Sequence, residues 1–422
     1  MKIVIYEDGS FANFYPLVYL RPIFDLRCGV FTLREKIAKK FPDSSIYLEP
    51  RGLLTDVVAE KYGAESLADL TGINDDVLLV NARAILTDAP GAYGEVEGAA
   101  RAPSGEVIWA FVRADTLSDL GGETAAQLAE SVADRCGADE TDDVLLEYPW
   151  DLVLRNAEEI QADFAHYAEK AGQHELHPQV AVEGSQEDLF VADDAEVQPF
   201  TYIDCRGGPV IIEKGVTVRA HSSIEGPAYI GPDTQLMEAK VREGSSLGPV
   251  CRAGGEIEES IMHGYANKYH TGFLGHSYVC PWVNLGALTT NSDLKNDYSE
   301  VSVRLNDEPM KTGSMKVGAF IGDHTKTSIG TTFNTGTMVG IMCNLVSGGT
   351  VLPKFIPSFA WYLNNRISKG LGLKYALKTA RTVMGRRDVE LTDSMVELIE
   401  KTEEMTQQKK MEKVRRDRKK VK

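Results

Sequence analysis

The stretch "NKYHTGFLG", residues 267–275, places Lys268 and His270 beside two glycines. A histidine with an unperturbed pKa of about 6.5 is largely neutral at cellular pH, so His270 can take a proton from a substrate. The glycines and threonines around it offer backbone N–H and hydroxyl donors for a developing oxyanion. The same residue also reads as a corner histidine, hydrogen-bonded to the next turn of chain. His263, His276 and His324 compete for the role, and His324 in "IGDHTK" is the strongest rival; His221 has nothing chemical around it. The six cysteines lie far apart and form no CxxC pair, which reads as reduced structural thiols and not as a zinc site or a disulfide framework.

The elements that must position such residues follow from length and patterning. A chain of 422 residues exceeds what one hydrophobic core usually serves, so two or more domains are expected. Its 43% hydrophobic and 25% charged residues fit a globular protein, and a net charge of -17 argues against nucleic acid as a partner. No apolar run is long enough for a membrane span, and "MKIVIYEDGS" meets Glu7 and Asp8 too early for a signal peptide. A cytoplasmic protein is the expectation. The closing segment "KTEEMTQQKKMEKVRRDRKKVK" reverses the charge and reads as a solvated, frayed helical tail or as a site for an anionic partner.

Residues 1–100 alternate strands ("KIVIY", "SIYLE", "DVLLVNAR") with helical patterns ("LREKIAKKF", "TDVVAEKYG"), which implies a parallel sheet covered by helices. "EVIWAFVRA" adds a strand, "ETAAQLAESVADRC" a helix, and residues 156–172 a long closing helix. The break at "QHELHPQ" sets a Rossmann-like α/β domain at 1–178.

Beyond it, apolar residues fall every six positions at Ile212, Val218, Ile224, Ile230 and Leu236. A slip gives Val241 and Leu247, and the period returns at Phe273, Val279 and Leu285, then from Ile321 through Val339 to Val351. A small residue such as Ser222, Thr234, Ser277 or Thr325 usually follows four positions later. Neither strand nor helix sustains a period of six; hexads build a parallel β-helix, each one a short strand plus a corner. This domain is set at 179–357, with a polar loop extruded at 291–317. Residues 358–422 read as C-terminal helices, the last opened by a Ser394–Glu397 capping box.

An α/β domain followed by a left-handed β-helix of hexads resembles the bifunctional bacterial enzymes of UDP-N-acetylglucosamine synthesis, which join a sugar-phosphate uridylyltransferase to a glucosamine-1-phosphate acetyltransferase. The segments that carry the likeness include "YLRPIFDLRCGVFTLREKI", "YPWDLV", "NKYHTGFLG", "NLGALTTNSDLKN" and "FNTGTMVG", closest to an alternative branch labelled sugar nucleotidyltransferase. In the acetyltransferases a histidine base precedes L-G and then an asparagine in N-[IL]-G-A, the spacing that His270 and Asn284 show here. The resemblance therefore implies His270 as the base, Asn284 on the sugar, and Ala287 with Asn291 at acetyl-CoA. Where the family has a sugar-contacting lysine this chain has Glu258, and where it has a tyrosine it has Phe273, which leaves Arg252, Lys268 or a loop lysine such as Lys295 to hold the phosphate. Phe273, Arg252 and Lys268 complete the expected sugar-phosphate contacts.

The family's glycine-rich phosphate loop is missing: "EDGSFANFYPLVYLRP" follows the first strand, and Asn81 stands where a metal-binding aspartate is expected. Arg21, Arg27 and Lys36 are the cations left to neutralise a nucleoside triphosphate, and Asp151 is the candidate for Mg2+. Arg21 and Arg27 also read as partners of Asp25 in a domain without activity. The resemblance implies a homotrimer that acetylates an amino-sugar phosphate and transfers a nucleotidyl group to a sugar 1-phosphate. A nucleotidyltransferase whose β-helix only assembles it, and an inactive nucleotide-sugar scaffold, are the competing readings.

Overall fold

Ile3, Val4 and Ile5 are wholly buried, as expected of a strand covered on both faces, and "KIVIY" forms the strand Lys2–Tyr6 at the heart of a six-stranded sheet. In this computed structural model, which describes residues 1–70, 75–87, 91, 93–117, 120 and 123–419, it pairs in parallel with Ser45–Glu49 and Val77–Asn81. Val107–Val112 extends the sheet antiparallel to Val77–Asn81, so the expected parallel arrangement holds for the three strands on one side of the sheet and turns mixed beyond them. The helix Leu33–Lys40 opens with a Thr32–Glu35 capping box and Ala125–Cys136 with a Thr124–Gln127 box. Each box satisfies two N–H groups that the helix start leaves open. Leu128, Ala129 and Val132 pack on Val4, Leu79 and Ala110 in one core. In the parallel register Tyr6 lies opposite Asn81, which brings the loops after both strands to one edge of the sheet.

The chain divides into two compact units, the first ending at Tyr148, and the second takes Tyr15–Tyr19, Arg27–Val30 and Pro149–Lys422. The helices Pro149–Leu154 and Asn156–Asp163 thus cluster with the β-helix, although the first coil strand begins only at Ala181. Hydrogen bonds explain the grouping: Asn156 Nδ2 donates to the Gly244 carbonyl at 2.8 Å and to Ser246 Oγ at 3.0 Å.

Short parallel strands stack from Leu189–Val191 through Val210–Ile212, Ala228–Ile230 and Ser245–Leu247 to Phe355–Ile356, as the hexads require. Ile212, Val218, Ile224, Ile230, Leu236, Val241 and Leu247 point inward with no exposure, and Ser222, Thr234, Ser277 and Thr325 are buried at the corners. Two assignments shift by one residue. Leu274, in register with Ile257, points inward instead of Phe273, and Leu352 does so instead of Val351, which is 57% exposed. A third departure bears on function: the inward column Val197, Val218, Leu236, Ala253 continues in register to Lys268.

Tyr278–Val279 pairs directly with Phe320–Ile321, so the polar insertion between them leaves the coil, as expected. It carries a β-hairpin, Ser302–Leu305 against Glu308–Lys311. Helices Leu373–Gly385 and Asp393–Lys419 close the chain. The cap of the second is Thr392, whose Oγ1 accepts from the Met395 N–H, and not Ser394. The basic tail is docked, not frayed: Val414 joins the β-helix core, Lys413 pairs with Asp307, and Asp417 accepts from the Ile367 N–H at 2.9 Å. No helix among the described residues is long and apolar enough to cross a membrane.

Candidate active sites

On the β-helix, His270 and Ala287 line one open cavity of about 350 Å3, together with Glu238, Gly255, Tyr269 and Leu288. His270 is exposed, its ring edge-on to Tyr269 with centroids 5.9 Å apart, and its nitrogens bond to no described residue. Stacking of parallel strands brings these residues together: Asn267 bridges to Asn284, so the corner after each strand stands one coil apart on the same edge. The backbone there is built close. Gly255 has φ +67°, and a Cβ on it would meet the Gly272 carbonyl oxygen at 2.7 Å and Lys268 Nζ at 3.0 Å. Only glycine serves at this position.

The other expected contacts divide. Asn284 is exposed next to Asn267, whose amide donates to its Oδ1 at 3.3 Å, and it does not line the His270 cavity. Phe273 is half-buried, in register with Glu256 on the outer face of the coil. The Asn291 side chain is buried, donating to the Gly275 carbonyl and accepting from the Gly275 N–H, both at 2.9 Å, and it does not line the His270 cavity. Arg252 donates from Nη1 to the carbonyls of Asp233 and Cys251, at 2.8 and 3.0 Å, and burial with Arg387 nearby lowers its pKa. Lys268 is buried under the His270 loop and donates to three carbonyls, so it does not reach out to a phosphate.

In the α/β unit a cavity of about 250 Å3 opens where the strands Lys2–Tyr6 and Val77–Asn81 end, the edge at which such sheets bind ligands. Asp8, Asn81, Glu106, Gln127 and Glu130 line it; Arg21, Arg27 and Lys36 do not. Arg27 belongs to the second unit, where it is 7% exposed, bonded to the Val30 carbonyl and stacked on Tyr229 at 5.5 Å. That packing makes it a core strut. Lys36 is half-buried on the helix Leu33–Lys40. Asp25, the suspected partner of the arginines, accepts from Lys61 and Tyr62.

The cavity's organising charge is Arg83, wholly buried, which bonds the Leu146 carbonyl at 2.9 Å and pairs with Asp8. Asp8 also accepts from Asn81 Nδ2 at 2.8 Å and the Ser10 N–H at 2.9 Å. These residues fit a protein-held magnesium ion poorly. Asp8 is already neutralised, Asp151 belongs to the second unit, and only one buried oxygen, Glu106 Oε2, lacks a partner among the cavity's carboxylates. Mg2+ would have to arrive with the phosphates of a substrate.

Residues 3–171 match the family model described as sugar nucleotidyl transferase. A bifunctional sugar-1-phosphate nucleotidylyltransferase/acetyltransferase of Sulfurisphaera tokodaii is 30% identical over 164 residues, 39% of this chain and 36% of that protein. The bifunctional protein GlmU of Methanococcus maripaludis is 33% identical over 113 residues, 27% of this chain and 25% of that protein. The chain is thus similar, in its N-terminal part, to sugar nucleotidyl transferases. It matches about a third or less of the length of these curated relatives. Among solved structures, a UDP-N-acetylglucosamine acyltransferase of Francisella novicida aligns over 53% of this chain and 88% of its own, at 14% identity and a TM-score of 0.28.

The rival histidines are occupied. His263 Nδ1 lies 2.8 Å from the Tyr278 hydroxyl, and His324 is buried and stacked on Trp282. His221 stacks on Phe200. His276 is held between Asp293 and Glu259, at 2.8 and 3.0 Å. Burial alone would lower its pKa, but hydrogen bonds to the two carboxylates outweigh it and raise the value to about 9. Sequence reading missed Asp8, Arg83 and Glu106. The one available signal was Asp8 and Asn81 each standing just beyond the end of, or at the end of, adjacent apolar strands.

Proposed function

We propose that the β-helix transfers acetyl from acetyl-CoA to the amine of an amino-sugar phosphate, with His270 as general base. The observation that carries this reading is the cavity shared by His270, with its ring unengaged, and Ala287, the residue expected beside the cofactor. The amine nitrogen attacks the thioester carbonyl as His270 takes its proton; the C–S bond then breaks, and the departing thiolate receives the proton. Open-sided coils of this kind favour packing as a homotrimer. Release of free thiol from acetyl-CoA on adding amino-sugar phosphates tests the reading; no release with any of them would refute it.

For the α/β unit the reading is nucleotidyl transfer from a nucleoside triphosphate to a sugar 1-phosphate, supported by the family match over 3–171. One observation favours a second reading, an inactive nucleotide-sugar scaffold: the described residues lining the cavity include Asp8, Glu106 and Glu130 and no lysine or arginine to stabilise a transferring phosphoryl group. Pyrophosphate release separates the two.

A further inference from the structure

Lysine is a poor resident for the inward slot of a β-helix. The same column holds Val197, Val218, Leu236 and Ala253 in the preceding coils, yet Lys268 occupies it at 2% exposure. A methionine or leucine there would bury more apolar surface without desolvating a charge. The ammonium has instead become a three-armed clamp. It donates to the carbonyls of Gly254 at 2.8 Å, His270 at 3.2 Å and Gly272 at 2.7 Å, using all three of its hydrogens. Two of these carbonyls belong to the loop that carries His270, and the third to the neighbouring strand Arg252–Glu258. The loop is further tied by the Glu256 N–H to the Gly272 carbonyl and by the Leu288 N–H to the Thr271 carbonyl.

We infer that Lys268 is a positioning residue for acetyl transfer, its charged head fixing the backbone on either side of His270 so that the imidazole faces the cavity in one place. The inference rests on the proposed role of His270. It also carries a pH signature, since burial lowers the Lys268 pKa to about 8 against a modest opposing pull from Glu256. Glu256 lies on the strand packed against it; Glu238 and His270 line the cavity that the loop borders; Asn284 and Asn291 on the next coil do not titrate. A neutral amine has two hydrogens for three carbonyls, so one arm lets go as the pH rises.

The test is Lys268→Met in the full chain, a side chain that the aliphatic column accepts, compared with His270→Ala. The expected result is a folded protein with kcat lower by up to about 10²-fold, as for other displaced catalytic groups. KM for acetyl-CoA should change little, and amide hydrogen exchange should quicken at Glu256 and Leu288. Loss of rate in His270→Ala with an unchanged rate and exchange in Lys268→Met would overturn the positioning role alone. Normal rates in both would overturn the base assignment and this inference with it. Should Lys268→Met fail to fold, Lys268→Arg, which stays charged, should lose the alkaline fall in kcat expected of the native protein; an alkaline limb the same in both would overturn the inference.

Discussion

His276 Nδ1 lies 2.8 Å from Asp293 Oδ2, and this contact ties the coil to the first residues of the extruded insertion. Lys316, at the far root of the insertion, pairs with Glu258 at 3.2 Å, so both ends of the excursion are fastened by charge. Because the folded pKa of His276 is raised to about 9 from an ordinary 6.5, its contribution is complete below about pH 6.5. It then declines and is lost as pH rises through 9. The contribution is on the order of 3 kcal/mol for a side chain this buried. Melting temperature should therefore fall between pH 6.5 and 9, and His276→Gln should flatten that slope. An equal slope in the variant would show that other groups set it.

Arg83 and Asp8 make the second prediction. A guanidinium with no exposure that loses Asp8 keeps only the longer 3.4 Å pair to Glu106, so Asp8→Ala should destabilise the protein by up to about 3 kcal/mol. Replacing Arg83 and Asp8 together with apolar residues should recover much of that loss. Denaturant unfolding of the single and double variants measures both, and equal losses in the two would contradict the pairing.

Arg27 gives a contrast. Its stacking on Tyr229 and its bond to the Val30 carbonyl together stabilise by roughly 2 kcal/mol. Arg27→Ala should lower stability by that amount and leave the triphosphate affinity of the folded protein unchanged. Calorimetry measures the affinity, and a loss in Arg27→Ala would restore it to the nucleotide site.

Legibility tracked how strictly each position constrains its residue. The slots of Ile212 through Leu247 admit only aliphatic side chains, so six-fold spacing alone disclosed the coil and its corners. Between Ala253 and Lys268 the period vanished from the sequence. There the strand Arg252–Glu258 lengthens to seven residues and a lysine fills an interior slot, and no pattern of apolar residues could announce either. The sheet was visible in its apolar runs, but the cavity at its edge was not. Asp8 and Arg83 look like surface charges until folding pairs them, and Arg27 looks like a phosphate ligand until it is seen against Tyr229. The docked tail was hidden for the same reason: Lys410 and Lys413 are buried along their stems while their ammonium groups meet Glu403 and Asp307.

The last prediction concerns His270 itself. Its exposed ring, bonded to no described residue, argues against the corner role in which the imidazole would hold the next coil. His270→Ala should therefore leave stability almost unchanged while acetyl transfer falls by about 10²–10⁴-fold, the usual contribution of a positioned acid–base group. His270→Asn should fall equally, because it keeps a hydrogen-bonding shape and lacks the basic nitrogen. Affinity for acetyl-CoA should persist, since Ala287 and the later coils remain in place. His324→Ala should lose stability instead of activity, because its ring is buried against Trp282. Were His324→Ala the variant that stops thiol release while His270→Ala runs normally, the base would lie at the later coil and the cavity of His270 would need another use.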